Sequence, residues 1–129
     1  MSKALKESKL APEEIDVLNT HSPGTEAGDL SDYKAILRLF EKHDPKISAT
    51  KGSTGHGMGM AGMMEAVWTV KMIEEDRIPP TKNTKNPMEV DGRRPNIVKE
   101  TTKTTVNTAM NFNSGAGGTN AATIFSKLR

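Results

Sequence analysis

The chain has 129 residues, with 18 lysines and arginines against 16 aspartates and glutamates, a formal net charge of +2, and no cysteine. This length fits one domain with a modest core, which we place over residues 1–129, and the mixed charge favours neither nucleic acid nor an anionic membrane as a partner. The lack of cysteine excludes disulfides, thiolate metal sites and a cysteine nucleophile supplied by this chain.

The first third of the chain predicts helix, strand, loop and helix in that order. Residues 3–9 have a helical pattern without the apolar run of a signal peptide, so we expect a soluble, cytoplasmic protein. IDVLNTH, residues 15–21, predicts a short strand, and HSPGTEAGD, residues 21–29, has the composition of a loop. Apolar residues then recur at helical spacing, which predicts a helix from about residue 28 to 42.

The middle of the chain predicts a second strand and an apolar helix. KISAT, residues 46–50, reads as a strand, and nearly every position in residues 58–73 is apolar or small. A helix that is apolar all round is expected to be buried, its methionines are most simply core filler, and it is too short to cross a bilayer. A row of small residues along it predicts close approach by another backbone: Gly55, Gly59, Gly62 and Ala66.

The last third of the chain predicts a surface loop and a pair of strands. Residues 82–95 are rich in Asn, Pro and charge, and residues 103–113 and 119–126 are rich in Thr, Val, Ile and Phe. The glycine-rich turn NSGAGGTN, residues 113–120, joins these strands as an antiparallel pair. The whole order of elements predicts an α/β layer.

Three polar loops lie at predicted strand ends, around His21, His56 and Gly117. Sites in α/β sheets are built at the carboxyl ends of strands. Two histidines there would polarise one carbonyl oxygen by donating from their ring nitrogens, and Lys51 would hold Glu65 or balance local charge. The glycine loop would let a substrate lie close to the backbone.

Each of these features also has a structural interpretation. A lone loop histidine is more often a surface or hydrogen-bonding residue, which is our interpretation of His43. A glycine-rich turn is more often a hairpin than a phosphate cradle, and this one lacks the lysine of a P-loop. Lys51 and Glu65 would equally form a purely structural ion pair.

Taken together, the loops resemble the C-terminal half of the beta-ketoacyl-acyl carrier protein synthases, the condensing enzymes of the thiolase fold. NTHSPGTEAGD matches the family's N-A-H-G-T-S-T-x-x-x-D, and KGSTGHGMGMAGMMEA matches K-S-x-T-G-H-x-x-G-A-A-G-x-x-E-A. IPPTKN matches V-P-P-T-x-N, and GAGGTN matches G-F-G-G-T-N. The resemblance covers essentially the whole chain and implies an α/β protein, the C-terminal half of a thiolase-like fold, with a mixed sheet packed on a buried helix.

The resemblance implies decarboxylative Claisen condensation of malonyl-acyl carrier protein with an acyl thioester, in fatty acid or polyketide synthesis. By this resemblance His21 and His56 stabilise the enolate and the oxyanion, while Lys51 and Glu65 are the electrostatic lysine and the buried glutamate beside them. The implied substrate-binding residues are Thr25, Gly117, Gly118 and Thr119. No cofactor and no metal is implied.

The implied partners are a cysteine-bearing ketosynthase N-terminal half and an acyl carrier protein, because family members attack the acyl donor with a cysteine that this chain lacks. We expect a hetero- or homo-oligomer without nucleic acid and without a transmembrane segment. The compartment is expected to be the cytoplasm or, alternatively, the mitochondrion or plastid.

The chain also departs from the family pattern at substrate-handling positions. Ser22-Pro23-Gly24 stands where the family has Gly-Thr-Ser, Asp32 stands where it prefers Glu, and its two gating phenylalanines fall on Ser114 and Ala116. The sequence therefore leaves open a split condensing enzyme, a non-catalytic structural subunit with the same fold, or a piece of a longer protein.

Overall fold

The computed structural model describes residues 1–128. Within these residues the helices are α1 (Ser2–Ser8), α2 (Glu26–Leu39), α3 (Lys51–Thr54) and α4 (Ala61–Glu75). The strands are β1 (Val17–Asn19), β2 (Lys46–Ser48), β3 (Arg77–Ile78), β4 (Thr102–Lys103), β5 (Thr108–Ser114) and β6 (Asn120–Ser126). Short 3-10 turns lie at Pro12–Glu14 and Met58–Met60.

A mixed sheet with strand order β2-β1-β5-β6 forms the centre of the protein. β1 pairs in parallel with both β2 and β5, so that Asn19 stands opposite Ser48 on one side and Asn111 on the other. β5 and β6 pair antiparallel over their whole length, as the glycine-rich turn predicts. The predicted α/β layer with its last two strands adjacent is confirmed.

The two faces of the sheet carry separate hydrophobic cores, because neighbouring residues in a strand point to opposite faces. Leu18 packs in one core and Val17 in the other. The core on the α2 face contains Leu5, Ile15, Leu18, Tyr33, Ile36, Phe40, Ile47, Val90, Met110 and Phe112. The core on the α4 face contains Val17, Met72, Ile73, Ile78, Val98, Val106 and Ala109. Burying each large apolar side chain contributes about 1.5–3 kcal/mol.

Helix α4 is buried along one stripe only, which corrects the prediction of a helix buried on all sides. The buried stripe is Ala61, Glu65, Thr69, Met72 and Ile73. Exposed apolar side chains outside this stripe and on the 3-10 turn before the helix form what we call the outer apolar face: Met58, Met60, Met63, Val67 and Trp68, which are 77%, 60%, 72%, 56% and 43% exposed. Of the methionines predicted as core filler, Met72 is buried, but Met58, Met60 and Met63 belong to this exposed face.

The predicted row of small residues also differs from the observed backbone. Gly55 and Gly59 precede α4, and a Cβ atom on Gly62 would meet the Asn113 side chain rather than a backbone. The close backbone approach occurs instead at Gly52 in α3, where a Cβ atom would lie 2.6 Å from the carbonyl oxygen of Lys82. The loop that carries IPPTKN therefore packs on α3.

Other element ends follow from local chemistry. α2 begins earlier than predicted because the Thr25 side chain accepts a hydrogen bond from the backbone N–H of Gly28 and so caps the helix. β5 begins at Thr108 rather than near residue 103, because β4 turns away to pair with β3. No helix among the described residues is long and apolar enough to span a membrane.

Candidate active site

Three parallel strands end at the same edge of the sheet, and each delivers a polar side chain there. His21 follows the end of β1, Lys51 follows β2 as the first residue of α3, and Asn113 lies near the end of β5. Because β1 pairs in parallel with both neighbours, these three side chains converge. The loop around His21, and Lys51 at the start of the loop that leads to His56, therefore lie at the same edge of the sheet.

The two predicted site histidines are in contact. The ring centroids of His21 and His56 lie 5.3 Å apart with an interplanar angle of 80°, an edge-to-face arrangement. Both rings line an open cavity of about 550 Å³ whose other walls are mostly small residues or backbone. Those other lining residues are Met58, Gly59, Gly62, Asn113, Ser114, Gly115, Ala116, Thr119 and Ala121.

A tight backbone turn orients the His56 ring. The backbone N–H of Met58 donates to His56 Nδ1 at 3.0 Å. Since Nδ1 accepts this hydrogen bond, the proton of the neutral ring is on Nε2. Met58 has φ of +51°, which is unusual for a residue with a side chain, so the fold maintains a strained conformation next to the histidine.

A buried ion pair lies beneath the histidines. Lys51 and Glu65 are 8% and 2% exposed, and Lys51 Nζ donates to Glu65 Oε1. The other carboxylate oxygen, Oε2, has no hydrogen-bond partner within residues 1–128. The pair brings two opposite charges under the site without adding net charge. Among those same residues, no group of three or more His, Asp or Glu side chains is arranged to hold a metal ion.

Two asparagine side chains contact this ion pair, one of them also contacts His21, and the sequence analysis did not identify either. Asn113 Oδ1 lies 3.1 Å from His21 Nδ1 and 3.3 Å from Lys51 Nζ. Asn19 Nδ2 donates to the backbone oxygen of Glu65 at 3.1 Å, which holds α4 against β1. The available signal was asparagine within apolar strands, where its β-propensity is poor and a specific role is needed.

Asp32 supports the loop that carries His21. Its Oδ2 accepts a hydrogen bond from the backbone N–H of Ser22 at 2.7 Å, and Ser22 has φ of +28°. Burial raises the pKa of the Asp32 carboxyl, while the Ser22 hydrogen bond and the nearby His21 act in the opposite direction. Asp32 stands where the resembled family prefers Glu, so the substitution keeps a carboxylate at this position, and that carboxylate anchors the loop.

The predicted substrate-binding residues divide into two groups. Thr119 lines the cavity with the histidines. Gly117 and Gly118 form the turn beside it with φ of +82° and +84°, a conformation that favours glycine. Thr25 caps α2 instead, and its hydroxyl oxygen is occupied by the Gly28 N–H.

Residues 1–85 match the beta-ketoacyl synthase C-terminal domain family. The chain is 43% identical over 114 residues to 3-oxoacyl-[acyl-carrier-protein] synthase 1 of Buchnera aphidicola subsp. Acyrthosiphon pisum, covering 88% of this chain and 28% of the relative. It is 37% identical over 132 residues to the mitochondrial 3-oxoacyl-[acyl-carrier-protein] synthase of Arabidopsis thaliana, covering 99% of this chain and 29% of that relative.

The fold is also similar to that of a solved structure, a beta-ketoacyl synthase from Burkholderia phymatum STM815. The two share 31% identity with a TM-score of 0.89, over 100% of this chain and 31% of that one. The chain thus spans less than a third of the length of the curated relatives it matches. The architecture is the C-terminal half of a thiolase-like fold, as the resemblance implied.

Proposed function

The chain belongs to the beta-ketoacyl synthase C-terminal domain family, and from this premise we propose that it supplies the two histidines of a decarboxylating Claisen condensation. The reaction joins malonyl-acyl carrier protein to an acyl thioester, which is an acyltransferase activity in fatty acid or polyketide synthesis. His21 and His56 act on the thioester oxygen. Lys51 and Glu65 set the electrostatics beneath them.

One observation carries this proposal. Two imidazole rings contact each other edge to face on the wall of one open cavity, with centroids 5.3 Å apart. Stabilising the charge that develops on a carbonyl oxygen needs fixed hydrogen-bond donors in such a cavity, and the Met58 N–H leaves His56 with a proton on Nε2 to donate. A surface histidine pair without an ordered ring would not meet this requirement.

The proposed chemistry has two stages. In the first, the bond between C2 and the carboxylate of the malonyl group breaks, CO₂ leaves, and the electron pair moves onto the thioester oxygen as an enolate. His56 Nε2–H donates to that oxygen. In the second, C2 attacks the carbonyl carbon of an acyl-cysteine thioester, the oxyanion forms and collapses, and the thiolate leaves.

The surrounding residues support these stages without taking part in bond changes. The buried Lys51–Glu65 pair gives the site a fixed dipole in a low-dielectric region, where it acts more strongly than in water. The carrier arm lies along the wall that contains Thr119, next to the turn formed by Gly117 and Gly118. Thr25 stays a predicted substrate-binding residue, and its observed contact favours a role in shaping the His21 loop.

The proposal requires two partners. The nucleophilic cysteine comes from a ketosynthase N-terminal half, since this chain has no cysteine. The outer apolar face is the surface we assign to that half, because it is the largest group of exposed apolar side chains beside the cavity. The malonyl group arrives on an acyl carrier protein, the carrier that the relatives are named for.

The relatives include a mitochondrial enzyme as well as bacterial ones, so membership of the family fixes no compartment.

Substitution of His56 tests the proposal. In the protein assembled with its cysteine-bearing half, His56→Ala is expected to lower malonyl-thioester decarboxylation by about 10²–10³-fold, the usual effect of removing one donor to a developing oxyanion. Release of ¹⁴CO₂ from labelled malonyl-acyl carrier protein measures this rate.

His43→Ala is the matched control, because the one hydrogen bond of the His43 side chain among the described residues is to the Ile15 backbone oxygen, at 2.8 Å. It is expected to leave decarboxylation within about twofold of the wild type. If His56→Ala decarboxylates as fast as the control, the catalytic assignment is wrong. The result would then favour the alternative, a non-catalytic structural subunit with a ketosynthase fold.

A further inference from the structure

We propose that Asn113 is a positioning residue that fixes the proton of neutral His21 on Nδ1, so that the two histidines have different hydrogen-bonding roles. The catalytic meaning of this inference rests on the proposed function. The position of the proton does not, because it follows from the contacts of this chain alone.

The orientation of the Asn113 amide follows from two fixed ends. The backbone oxygen of Gly62 only accepts, so the amide group that faces it at 3.1 Å is Asn111 Nδ2. Asn111 Oδ1 is then free to accept from Asn113 Nδ2 at 3.3 Å. At the other end Lys51 Nζ only donates, and it faces Asn113 Oδ1 at 3.3 Å. Both ends therefore require that Asn113 presents its oxygen to His21.

An oxygen acceptor determines the state of the neighbouring ring. His21 Nδ1 lies 3.1 Å from Asn113 Oδ1, which has no proton to give, so His21 donates from Nδ1. The neutral ring then has a lone pair on Nε2. His56 is the reverse, because its Nδ1 accepts from Met58 and its proton is on Nε2.

The pair therefore offers one donor and one acceptor within a single cavity. In this arrangement neutral His21 accepts a proton or a hydrogen bond at Nε2, and it donates to an oxygen only after it becomes protonated. The expectation that both rings donate to one carbonyl oxygen is then restricted to the imidazolium form of His21. A carboxylate at position 113 would place a full negative charge against the ring and favour the imidazolium form of His21. The neutral amide of Asn113 avoids this charge.

Histidine ¹⁵N shifts measure the proton position directly. The full chain labelled at its three histidines, at about pH 8.5 where imidazole is neutral, is examined by magic-angle spinning, which tolerates self-association. We expect Nδ1–H for His21 and Nε2–H for His56. His43 is an internal reference for Nε2–H, because its Nε2 donates to the Ile15 carbonyl oxygen at 2.8 Å.

Two variants and a control complete the experiment. Asn113→Leu removes the acceptor, and the Nδ1–H signal of His21 is expected to be lost. Asn113→Asp keeps an oxygen acceptor at the same position, so the Nδ1–H signal of His21 is expected to persist. Asn107→Leu, at the exposed position just before β5, is expected to leave all three rings unchanged.

The outcomes separate this inference from the proposed function. Nε2–H on wild-type His21, or Nδ1–H that persists in Asn113→Leu, overturns the inference whatever the activity. The expected shifts with no dependence of decarboxylation on His56 would support the inference and contradict the proposed function. If both hold, Asn113→Leu is expected to lower decarboxylation by about tenfold, the loss of one hydrogen bond in the transition state.

Discussion

At the scale of single residues, the most costly feature of the site is the buried charge pair. Lys51 and Glu65 are both almost fully buried, and Asn113 is a further acceptor to the lysine. Taking two charges out of water costs several kcal/mol each, which their attraction and hydrogen bonds must offset. The presence of such a pair is therefore weak evidence for stability, and removing one of its charges is the informative test.

Breaking one side of the pair is expected to be worse than removing both charges. Lys51→Met leaves the Glu65 carboxylate buried without its cation and is expected to lower the free energy of unfolding by about 3–5 kcal/mol. The double variant Lys51→Met/Glu65→Gln removes both charges and is expected to recover at least half of that loss. Urea unfolding followed by circular dichroism gives both values. Equal losses in the two variants would contradict the assignment of a coupled buried pair.

The sequence identified His21, His56, Lys51 and Glu65 because these residues follow strands or interrupt an apolar helix. It did not identify Asn113, because an asparagine near the end of a strand, although unusual there, does not by itself indicate which side chains it contacts. Its role depends on the parallel register between β1 and β5, a contact between residues far apart in the chain. Local patterns contain no information about that register.

At the scale of elements, the contact between α3 and the loop after β3 gives the IPPTKN motif a physical role. The Asn83 side chain donates to the backbone oxygen of Gly52 at 3.0 Å, and the Lys82 backbone lies against the same glycine. The motif therefore fixes the helix whose first residue is Lys51.

This contact predicts that Gly52 cannot be replaced. In Gly52→Ala the new Cβ would lie 2.6 Å from the Lys82 carbonyl oxygen, and the free energy of unfolding is expected to fall by about 1–3 kcal/mol. In Gly59→Ala the new Cβ meets nothing within 4 Å, and stability is expected to stay equal or rise by up to about 1 kcal/mol. Thermal unfolding of both variants checks the pair. Equal effects would mean that the loop moves away freely.

An ion pair joins the end of α4 to the residue that follows the last strand, β6. Asp76 ends the helix in a left-handed conformation, and its carboxylate accepts from Lys127 Nζ and from the Val106 N–H. These hydrogen bonds lower the pKa of Asp76 below its usual 3.8. A lowered pKa stabilises the fold above that value, and the contribution is lost as the pH falls through the folded-state pKa.

Asp76→Asn is therefore expected to lower the melting temperature at pH 7, and the deficit is expected to be smaller at about pH 3, below the usual pKa of the carboxyl. Differential scanning calorimetry at the two pH values measures this. The control Glu100→Gln, at an exposed carboxylate, is expected to change neither value. A deficit in Asp76→Asn that is just as large at low pH would show that its helix-ending geometry matters rather than its charge.

At the scale of the whole molecule, the outer apolar face dominates the behaviour of the isolated chain. The sequence pattern indicated apolar residues around most of α4, but it had no means of indicating which part of the protein covers the second side. In this chain that side is exposed, although apolar surface of this kind is usually covered by a partner.

The isolated chain is expected to self-associate through this face. Met63→Lys places a charge at its centre and is expected to shift the population toward monomer, while Glu41→Gln, with the same change in net charge at an exposed position after α2, is expected to have no effect. Sedimentation velocity over a range of concentrations distinguishes the two. Wild-type protein that is monomeric at every concentration would contradict self-association through this face.

The position of the only tryptophan of the chain has a practical consequence. Trp68 lies on the outer apolar face and is 43% exposed, while the only tyrosine, Tyr33, is buried in the opposite core. The fluorescence of the protein therefore reports on one surface. When that surface is covered, the emission maximum moves to shorter wavelength, so docking of a partner that lacks tryptophan is followed optically, in real time, without a label.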